Sequence, residues 1–229
     1  MLPSTTNADE TMASLALAGL TILMLGDSHF ATPGYLVTTL QDELIRQGAH
    51  VTTYAACGEP TGVWIEAGVA ACGTAVRVQS GPVKTDHSKN ARVPSHDTLI
   101  ATVHPNLIIV GAGDTMGGYG QKQFPTEWVT QQVQSLTRRI QAANISCVWI
   151  GPGWGTEGGP FFKTYAKAEY MSQFLSAHVS PCRFIDSTKM AKPGEWPTFD
   201  GQHYTAVGYQ KWGDAIDADI LSLARGVQP

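Results

Sequence analysis

Residues 23–29 of the chain read Leu23-Met24-Leu25-Gly26-Asp27-Ser28-His29. In this stretch an apolar run stops at a small residue, and an acid, a hydroxyl and an imidazole follow it. A buried parallel strand ends in this way at the carboxyl edge of an open α/β sheet, where such sheets carry their chemistry. The stretch predicts a first strand over residues 20–25 and a candidate nucleophile at Ser28, although Gly, Asp and Ser also form ordinary turns.

Strand and helix patterns alternate along the rest of the chain. Further strands are predicted over residues 51–54, 106–111, 145–150 and 183–186, with amphipathic helices between them. A small hairpin near residues 75–83 and a polar surface loop over residues 84–96 interrupt the alternation. Because alternating strands and helices form right-handed crossovers, we expect one three-layer α/β/α sandwich of the flavodoxin-like type, with a five-stranded parallel sheet.

No break in composition divides the chain into two domains. Residues 1–19 are predicted to be a lead-in segment, with a short helix or turn over residues 11–17, and residues 20–229 to be a single domain. The apolar run over residues 12–25 is shorter than the roughly 20 residues that a membrane span needs, and no basic segment precedes it. We expect an exported protein whose signal peptide is absent from this sequence.

Composition narrows the class of protein further. Charged residues make up 15% of the chain, and the net charge is −4. The usual charged fraction is about a quarter, and a protein that binds nucleic acid by electrostatics needs a basic face. The sequence therefore argues against a nucleic-acid partner, and its Gly, Thr, Ser, Gln and Asn content is typical of proteins that act outside the cytoplasm or on neutral sugars.

Four cysteines, Cys57, Cys72, Cys147 and Cys182, have no C-x-x-C spacing, so we expect no zinc site. Their even number allows three disulfide pairings. We favour Cys57–Cys72, which brackets a short excursion, together with Cys147–Cys182, which would join neighbouring strands; four buried free thiols are the alternative. Disulfides would place the protein in an oxidising compartment such as a periplasm.

A second polar motif, Asp200-Gly201-Gln202-His203, stands just before the last predicted helix. Its spacing of three lets the acid and the imidazole face the same way at a turn. Asp200 would then fix the tautomer of His203, and the outer ring nitrogen would activate a serine hydroxyl, which is a poor nucleophile without such a base. The two motifs together predict a Ser28–His203–Asp200 triad.

This combination of motifs resembles the SGNH (GDSL-type) hydrolase superfamily. Gly26-Asp27-Ser28 matches its first block, Gly58 its second, and Asp200-x-x-His203 its fifth. The resemblance covers the chain from residue 20 to the C-terminus. It implies that Ser28 is the nucleophile, His203 the general base and then acid, and Asp200 the orienting carboxylate.

The third block departs from the family pattern. Gly111-Ala112-Gly113-Asp114 has a glycine where the family usually has an asparagine that binds the oxyanion. The resemblance implies an oxyanion hole made of the backbone N–H groups of Ser28 and Gly58. Either these two donors suffice, or a third is supplied by the N–H of Gly113 or by a side chain such as Gln121 or Thr115.

Other residues near the predicted site favour a sugar substrate. The sequence Gly-Asp-Ser-His, with His29, looks like SGNH domains associated with O-acetylation of bacterial cell-surface polysaccharides. Six aromatic residues fall in predicted loops on the site side, where aromatic faces can stack on sugar rings: Trp64, Tyr119, Trp154, Phe161, Phe162 and Trp196. We expect His29 and at least one of these tryptophans to bind substrate; the alternatives are helix-entry hydrogen bonds for His29 and core packing for the tryptophans.

The predicted function is serine-dependent acetyl transfer to a hydroxyl of an exported polysaccharide, through an acetyl-serine intermediate and without a cofactor or metal. A carbohydrate O-acetylesterase is the alternative, since it uses the same first half-reaction with water as the acceptor. A third reading is a catalytically silent polysaccharide-binding subunit, which the intact Asp200 and His203 oppose. The expected partners are a polysaccharide or oligosaccharide, an acetyl donor and other proteins of polysaccharide synthesis.

Overall fold

The computed structural model describes residues 16–225 of the chain. The lead-in helix or turn predicted over residues 11–17 lies mostly outside this range, and residues 16–19 form a turn. The strands in the described range are β1 (Thr21–Gly26), β2 (His50–Ala56), β3 (Thr74–Val78), β4 (Lys84–Asp86), β5 (Leu107–Gly111), β6 (Ser146–Ile150) and β7 (Arg183–Ile185).

Helices connect these strands and cover both faces of the sheet. The α-helices in the described range are α1 (Thr39–Arg46), α2 (Val63–Glu66), α3 (His96–Val103), α4 (Thr126–Ala142), α5 (Tyr165–His178) and α6 (Ala206–Arg225). Single 3-10 turns occur at Ser28–Phe30, Asp114–Met116 and Ser187–Lys189. Residues 16–225 contain no helix that is both long and apolar enough to span a lipid bilayer.

Within the described range the strands form one seven-stranded sheet in the order β4-β3-β2-β1-β5-β6-β7. Strands β1, β2, β5, β6 and β7 are parallel and correspond to the five strands predicted from the sequence. The α/β sandwich is therefore confirmed, but the predicted strand count is wrong. The hairpin of β3 and β4 extends the sheet in antiparallel fashion, because the outer edge of β2 would otherwise leave its backbone groups unpaired.

Alternate residues of β1 belong to two different hydrophobic cores. Leu23 and Leu25 pack in the core that includes α4 and α5, whereas Ile22 and Met24 pack in the core that includes α1 and α6. Successive side chains of a strand point to opposite faces, so a strand that is apolar throughout requires cover on both sides. The three-layer arrangement follows from this requirement.

One aromatic ring packs against the carboxyl ends of β1 and β5. A Cβ atom on Gly26 would lie 2.2 Å from Phe30 Cγ, and one on Gly111 would lie 2.1 Å from Phe30 Cε2. Glycine at both strand ends lets the Phe30 ring fill this space. The ring thereby fixes the turn that carries Ser28 onto the edge of the sheet.

Candidate active site

Ser28 lies on the 3-10 turn that immediately follows β1. The Asp27 carboxylate accepts the backbone N–H of His29 at 3.0 Å, and the Asp27 carbonyl accepts that of Phe30 at 3.0 Å. The carboxylate caps the turn because it accepts an N–H of the first turn that has no backbone carbonyl to bind. Ser28 is thus held at the carboxyl edge of the sheet, where it lines a cleft.

Ser28, His203 and Asp200 form one hydrogen-bonded chain, called here the Ser28 cluster. Ser28 Oγ lies 2.7 Å from His203 Nε2, and His203 Nδ1 lies 2.8 Å from Asp200 Oδ2. The other Asp200 oxygen accepts the backbone N–H groups of Gln202 at 3.0 Å and His203 at 2.8 Å. With Nδ1–H donating to Asp200, Nε2 is free to accept the Ser28 proton. The structure brings together the three residues that the sequence singled out, although Ser28 is 175 residues away from His203 in the chain.

The pKa shifts of His203 and Asp200 suit a base and its orienting acid. Burial lowers the pKa of His203, and a charge on His29, whose ring centroid is 5.1 Å away, lowers it further. Burial would raise the pKa of Asp200, but the hydrogen bonds from His203 and Gln202 outweigh burial and keep that pKa below its usual value. At neutral pH an uncharged imidazole therefore lies beside an ionised carboxylate, as general-base chemistry requires.

A cleft of about 370 Å³ opens beside the Ser28 hydroxyl. Its lining includes Ser28, Tyr35, Gly58, Thr115, Phe161 and His203. The Tyr35 ring stacks near His203 at a centroid distance of 6.2 Å, and the Phe161 ring meets His203 edge-on at 5.6 Å. No lysine or arginine is among the lining residues. The cleft therefore offers aromatic faces, hydroxyls and backbone groups, but no cation, to a ligand.

The two glycines that were predicted to help form the oxyanion hole differ in their position relative to the cleft. Gly58 lines the cleft with Ser28, and its φ of 81° is in the left-handed region that favours glycine. Gly113 does not line the cleft, and a Cβ atom there would lie 2.8 Å from Pro152 Cδ. An asparagine at this position would have to displace Pro152, which accounts for the departure from the family pattern. The oxyanion role of Gly113 stays a prediction. Thr115, in contrast, lines the cleft and has a buried hydroxyl with no hydrogen-bond partner in the described chain.

A second group of polar side chains, called here the Asp114 cluster, is buried next to the first. Asp114 Oδ2 lies 2.8 Å from His29 Nε2, and Lys163 Nζ lies 2.8 Å from both Asp114 oxygens. Tyr119 donates its hydroxyl to Asp114 Oδ1 at 2.7 Å, and the Tyr209 hydroxyl lies 2.8 Å from His29 Nδ1. Every side chain in this cluster therefore finds its partner inside the protein.

Charge pairing explains how the Asp114 cluster is tolerated away from water. Burial would raise the pKa of Asp114, but the charge of Lys163 and the hydrogen bond from His29 hold it well below its usual range. Burial raises the pKa of Tyr119 and of Tyr209, so both hydroxyls keep their protons. An ionised carboxylate can persist in such a place because a cation and hydrogen-bond donors surround it.

Few features of the sequence indicate the Asp114 cluster. The one signal is Asp114, the last residue of the third sequence block, because it places an acidic side chain just after a buried strand. Lys163 and Tyr209 were missed, because nothing in their local sequence distinguishes them from surface residues. Tyr119 was placed in a site-side loop, but its polar partner was not foreseen. Lys163 lies 49 residues from Asp114 in the chain, and only the packing of the segment before α5 brings the two together.

Three predicted substrate-binding side chains are corrected by their burial. His29 is only 4% exposed, and both of its ring nitrogens are occupied by Asp114 and Tyr209. Trp64 and Trp196 are buried in opposite cores. Burying a large aromatic side chain is more favourable than leaving it exposed in a loop, which explains why both tryptophans lie in the cores.

Trp154 is half-buried but does not line the cleft. Its indole N–H donates to the carbonyl oxygens of Thr188 at 3.0 Å and Ala191 at 2.8 Å. These bonds tie two loops together, so its geometry is that of a structural residue. Two aromatic residues do line the cleft. Phe161 is one of the residues predicted in site-side loops, whereas Tyr35 was not singled out from the sequence.

Both favoured disulfides are confirmed, as Cys57–Cys72 and Cys147–Cys182. Cys57 and Cys72 line the cleft, and a Cβ atom on Gly58 would lie 3.2 Å from Cys72 Sγ. The second disulfide joins β6 to the residue that precedes β7, away from the cleft. Two disulfides are typical of exported proteins. In the described range, no group of three His, Cys, Asp or Glu side chains could hold a metal ion.

One known protein is similar to this chain in sequence, and several solved structures are similar to it in fold. Protein BcsX of Komagataeibacter xylinus is 40% identical over 201 residues, which cover 87% of this chain and 76% of that protein. No profile of a known protein family matches.

Solved structures with the same fold have low sequence identity. Esterase EstA from Pseudoalteromonas sp. is 16% identical with a TM-score of 0.56, covering 89% of this chain and 98% of the other. A GDSL-like lipase from Bacteroides thetaiotaomicron is 13% identical with a TM-score of 0.54, covering 96% and 97%. A peptidoglycan O-acetylesterase is 11% identical with a TM-score of 0.57, covering 96% and 95%. The chain therefore has the fold of the SGNH (GDSL-type) hydrolases, and by sequence it belongs to the family of protein BcsX.

Proposed function

We propose that this protein is a serine-dependent acetyltransferase that acylates hydroxyl groups of an exported polysaccharide. The observation that carries the proposal is the hydrogen-bonded chain from Ser28 Oγ through His203 to Asp200 at the edge of an open cleft. A serine hydroxyl 2.7 Å from an imidazole that a carboxylate orients is the arrangement that nucleophilic acyl transfer needs. A non-catalytic sugar-binding subunit would have no use for this geometry.

In the first half-reaction Ser28 Oγ attacks the carbonyl carbon of an acetyl donor, and His203 Nε2 takes the serine proton. The backbone N–H groups of Ser28 and Gly58 stabilise the negative charge that develops on the carbonyl oxygen. The tetrahedral intermediate then collapses, the donor leaves with the proton from His203, and acetyl-Ser28 remains. In the second half-reaction His203 takes a proton from a sugar hydroxyl, whose oxygen attacks the acetyl carbon. The bond from this carbon to Ser28 Oγ then breaks, and His203 returns the proton to Ser28 Oγ.

A carbohydrate O-acetylesterase is the second candidate, because water can replace the sugar hydroxyl in the second half-reaction. The shared fold with a peptidoglycan O-acetylesterase supports an acetyl group as the transferred unit in either case. The absence of cations from the cleft lining and the two disulfides support an uncharged sugar and an oxidising compartment such as the periplasm. The chemistry requires no cofactor, and other proteins of polysaccharide synthesis are the proposed partners.

The test is acetyl transfer by purified protein. Wild type, Ser28→Ala and the exposed-serine control Ser176→Ala would be incubated with 4-nitrophenyl acetate, with and without uncharged oligosaccharides. Nitrophenol release and mass spectrometry of the sugar are the readouts. We expect cleavage by wild type and Ser176→Ala but not by Ser28→Ala, and acetylated sugar as the product. Acetate alone, at a rate that no oligosaccharide changes, would select the esterase, and equal cleavage by Ser28→Ala would refute both.

A further inference from the structure

Exposed aromatic rings flank the Ser28 cluster. Phe161, Phe162 and Phe199 are 42%, 67% and 69% exposed. Phe161 lines the cleft beside the His203 ring, and Phe199 directly precedes Asp200 and donates its N–H to the His203 carbonyl at 2.8 Å. A phenylalanine side chain left in water forgoes favourable burial, and a cluster of such side chains marks a contact surface. We call these three residues the phenylalanine rim.

The segment that carries Phe161 and Phe162 is fixed against the Asp200–His203 turn. Thr156 donates its N–H to the Gly201 carbonyl at 2.9 Å, and its hydroxyl is hydrogen-bonded to that of Thr198. A Cβ atom on Gly159 would lie only 2.0 Å from the Asp200 carbonyl oxygen, so the two backbones touch. The rim therefore needs little ordering when a ligand binds, which lowers the entropic cost of binding.

Phe162 has an unusual backbone for a large side chain. Its φ of 57° is left-handed, a conformation that bulky residues rarely adopt. Its N–H donates to the Gly159 carbonyl at 3.2 Å, and Lys167 Nζ donates to its carbonyl at 3.4 Å. These contacts hold a strained residue whose ring is mostly in solvent and adds little to the core. Strain maintained without a packing gain is typical of functional positions.

The chemistry of the neighbouring cleft restricts the ligand. No lysine or arginine lines it, and the Asp114 carboxylate in its wall is paired with Lys163. A carboxylate, sulfate or phosphate on a ligand would find no cation there. Thr32, Gln202 and Phe161 all line the cleft, and the first two residues carry a hydroxyl and an amide. Flat apolar rings beside polar groups match pyranose units, which have apolar C–H faces and hydroxyl edges.

We infer that the phenylalanine rim is the binding platform for sugar rings of an uncharged polysaccharide, continuous with the cleft at Ser28. The inference rests on the proposed function for the choice of an uncharged sugar ligand, and it adds where the sugar chain lies. Phe162 and Phe199 would hold units of the chain outside the cleft, and Phe161 would hold the unit next to the reacting hydroxyl.

The test is retardation in native gels that contain a soluble polysaccharide. Glucomannan, arabinoxylan and hydroxyethylcellulose are the uncharged probes, and polygalacturonate is the anionic one. We expect at least one uncharged probe to retard the wild type, and Phe162→Ala/Phe199→Ala to bind about tenfold more weakly, because two stacking contacts are lost. Phe162→Tyr/Phe199→Tyr should restore binding because it keeps both rings. Val78→Ala is the control, since Val78 is 57% exposed on β3 and pairs with Thr52, at the end of the sheet far from Ser28.

Retardation requires no catalysis, so it is also measured on Ser28→Ala. If the wild type shows rim-dependent retardation but cleaves no ester, the proposed chemistry is refuted and the platform stands. The platform itself is refuted by any of three results: no retardation of the wild type, equal retardation of the double alanine variant, or stronger retardation by polygalacturonate than by every uncharged probe.

Discussion

The Ser28 cluster and the Asp114 cluster each pair an imidazole with a carboxylate, and their histidine rings are 5.1 Å apart. They differ in exposure: the side chains of His203 and Asp200 are 16% and 31% exposed, whereas those of Asp114 and Lys163 are 1% and 2% exposed. They differ also in how the hydrogen-bonded chain ends. The first ends in a serine hydroxyl at an open cleft, and the second closes on Lys163 and two tyrosines inside the protein.

This difference teaches that an imidazole–carboxylate pair does not by itself identify a catalytic site. His203 has one ring nitrogen directed to a group that a ligand can reach, so a proton can move to and from the reacting atoms. His29 has both nitrogens engaged by the protein, so it stabilises the fold and adjusts the pKa of His203. The following predictions separate these two roles.

The largest expected effect comes from exchanging the two histidines for glutamine, one at a time. His203→Gln should lower kcat for 4-nitrophenyl acetate by about 10³-fold or more, because the general base is lost. His29→Gln should lower kcat much less but reduce the melting temperature, since an amide cannot keep all the hydrogen bonds of the buried ring. Equal losses of kcat in both variants would contradict the division of roles.

Removing the cation of the Asp114 cluster should be the most damaging change to stability. Lys163→Met leaves the Asp114 charge buried without its partner, which should lower the free energy of unfolding by about 3–5 kcal/mol. The control Lys189→Met changes an exposed lysine and should stay within about 0.5 kcal/mol of wild type. Urea denaturation of the three proteins measures this, and a similar stability for both variants would show that the pair contributes nothing.

Removing either disulfide should lower the stability of the protein by a similar amount, but only one removal should also lower its activity. They close loops of 15 and 35 residues, and replacing either pair by serines should cost about 3 to 4 kcal/mol on the chain-entropy model. Only Cys57→Ser/Cys72→Ser should also reduce ester cleavage, by about tenfold or more, because this disulfide lies against Gly58 in the cleft. Thermal unfolding and kcat would be measured below the melting temperature of every variant, and an equal loss of kcat in both would rule out the link to Gly58.

The smallest expected effect is on the pH profile. Below its pKa, His203 is protonated and cannot accept the Ser28 proton, so kcat/KM should fall as the pH falls through that pKa. Because burial and a charge on His29 lower the pKa of His203, activity should persist to more acidic pH than an ordinary histidine allows. In His29→Gln the midpoint of the profile should move to higher pH; a midpoint that stays in place or moves down would contradict the coupling.

The sequence by itself determined the parallel core of the sheet, the placement of Ser28, Asp200 and His203 at its edge, and the favoured disulfide pairing. The strands and the two polar motifs depend on short-range rules, because continuous apolar runs, turn residues and an acid three positions from a histidine act over a few residues. The strand order then brings both motifs to one edge of the sheet.

Only the tertiary structure decided which polar and aromatic side chains are buried and which stay exposed or line the cleft. His29 looked like a substrate residue, yet Asp114 and Tyr209, which are 85 and 180 residues away in the chain, occupy its ring. Trp64 and Trp196 entered the cores, while Phe162 and Phe199 remained outside. The physical reason is that burial and pairing depend on which distant segments pack together, and no local pattern records that choice.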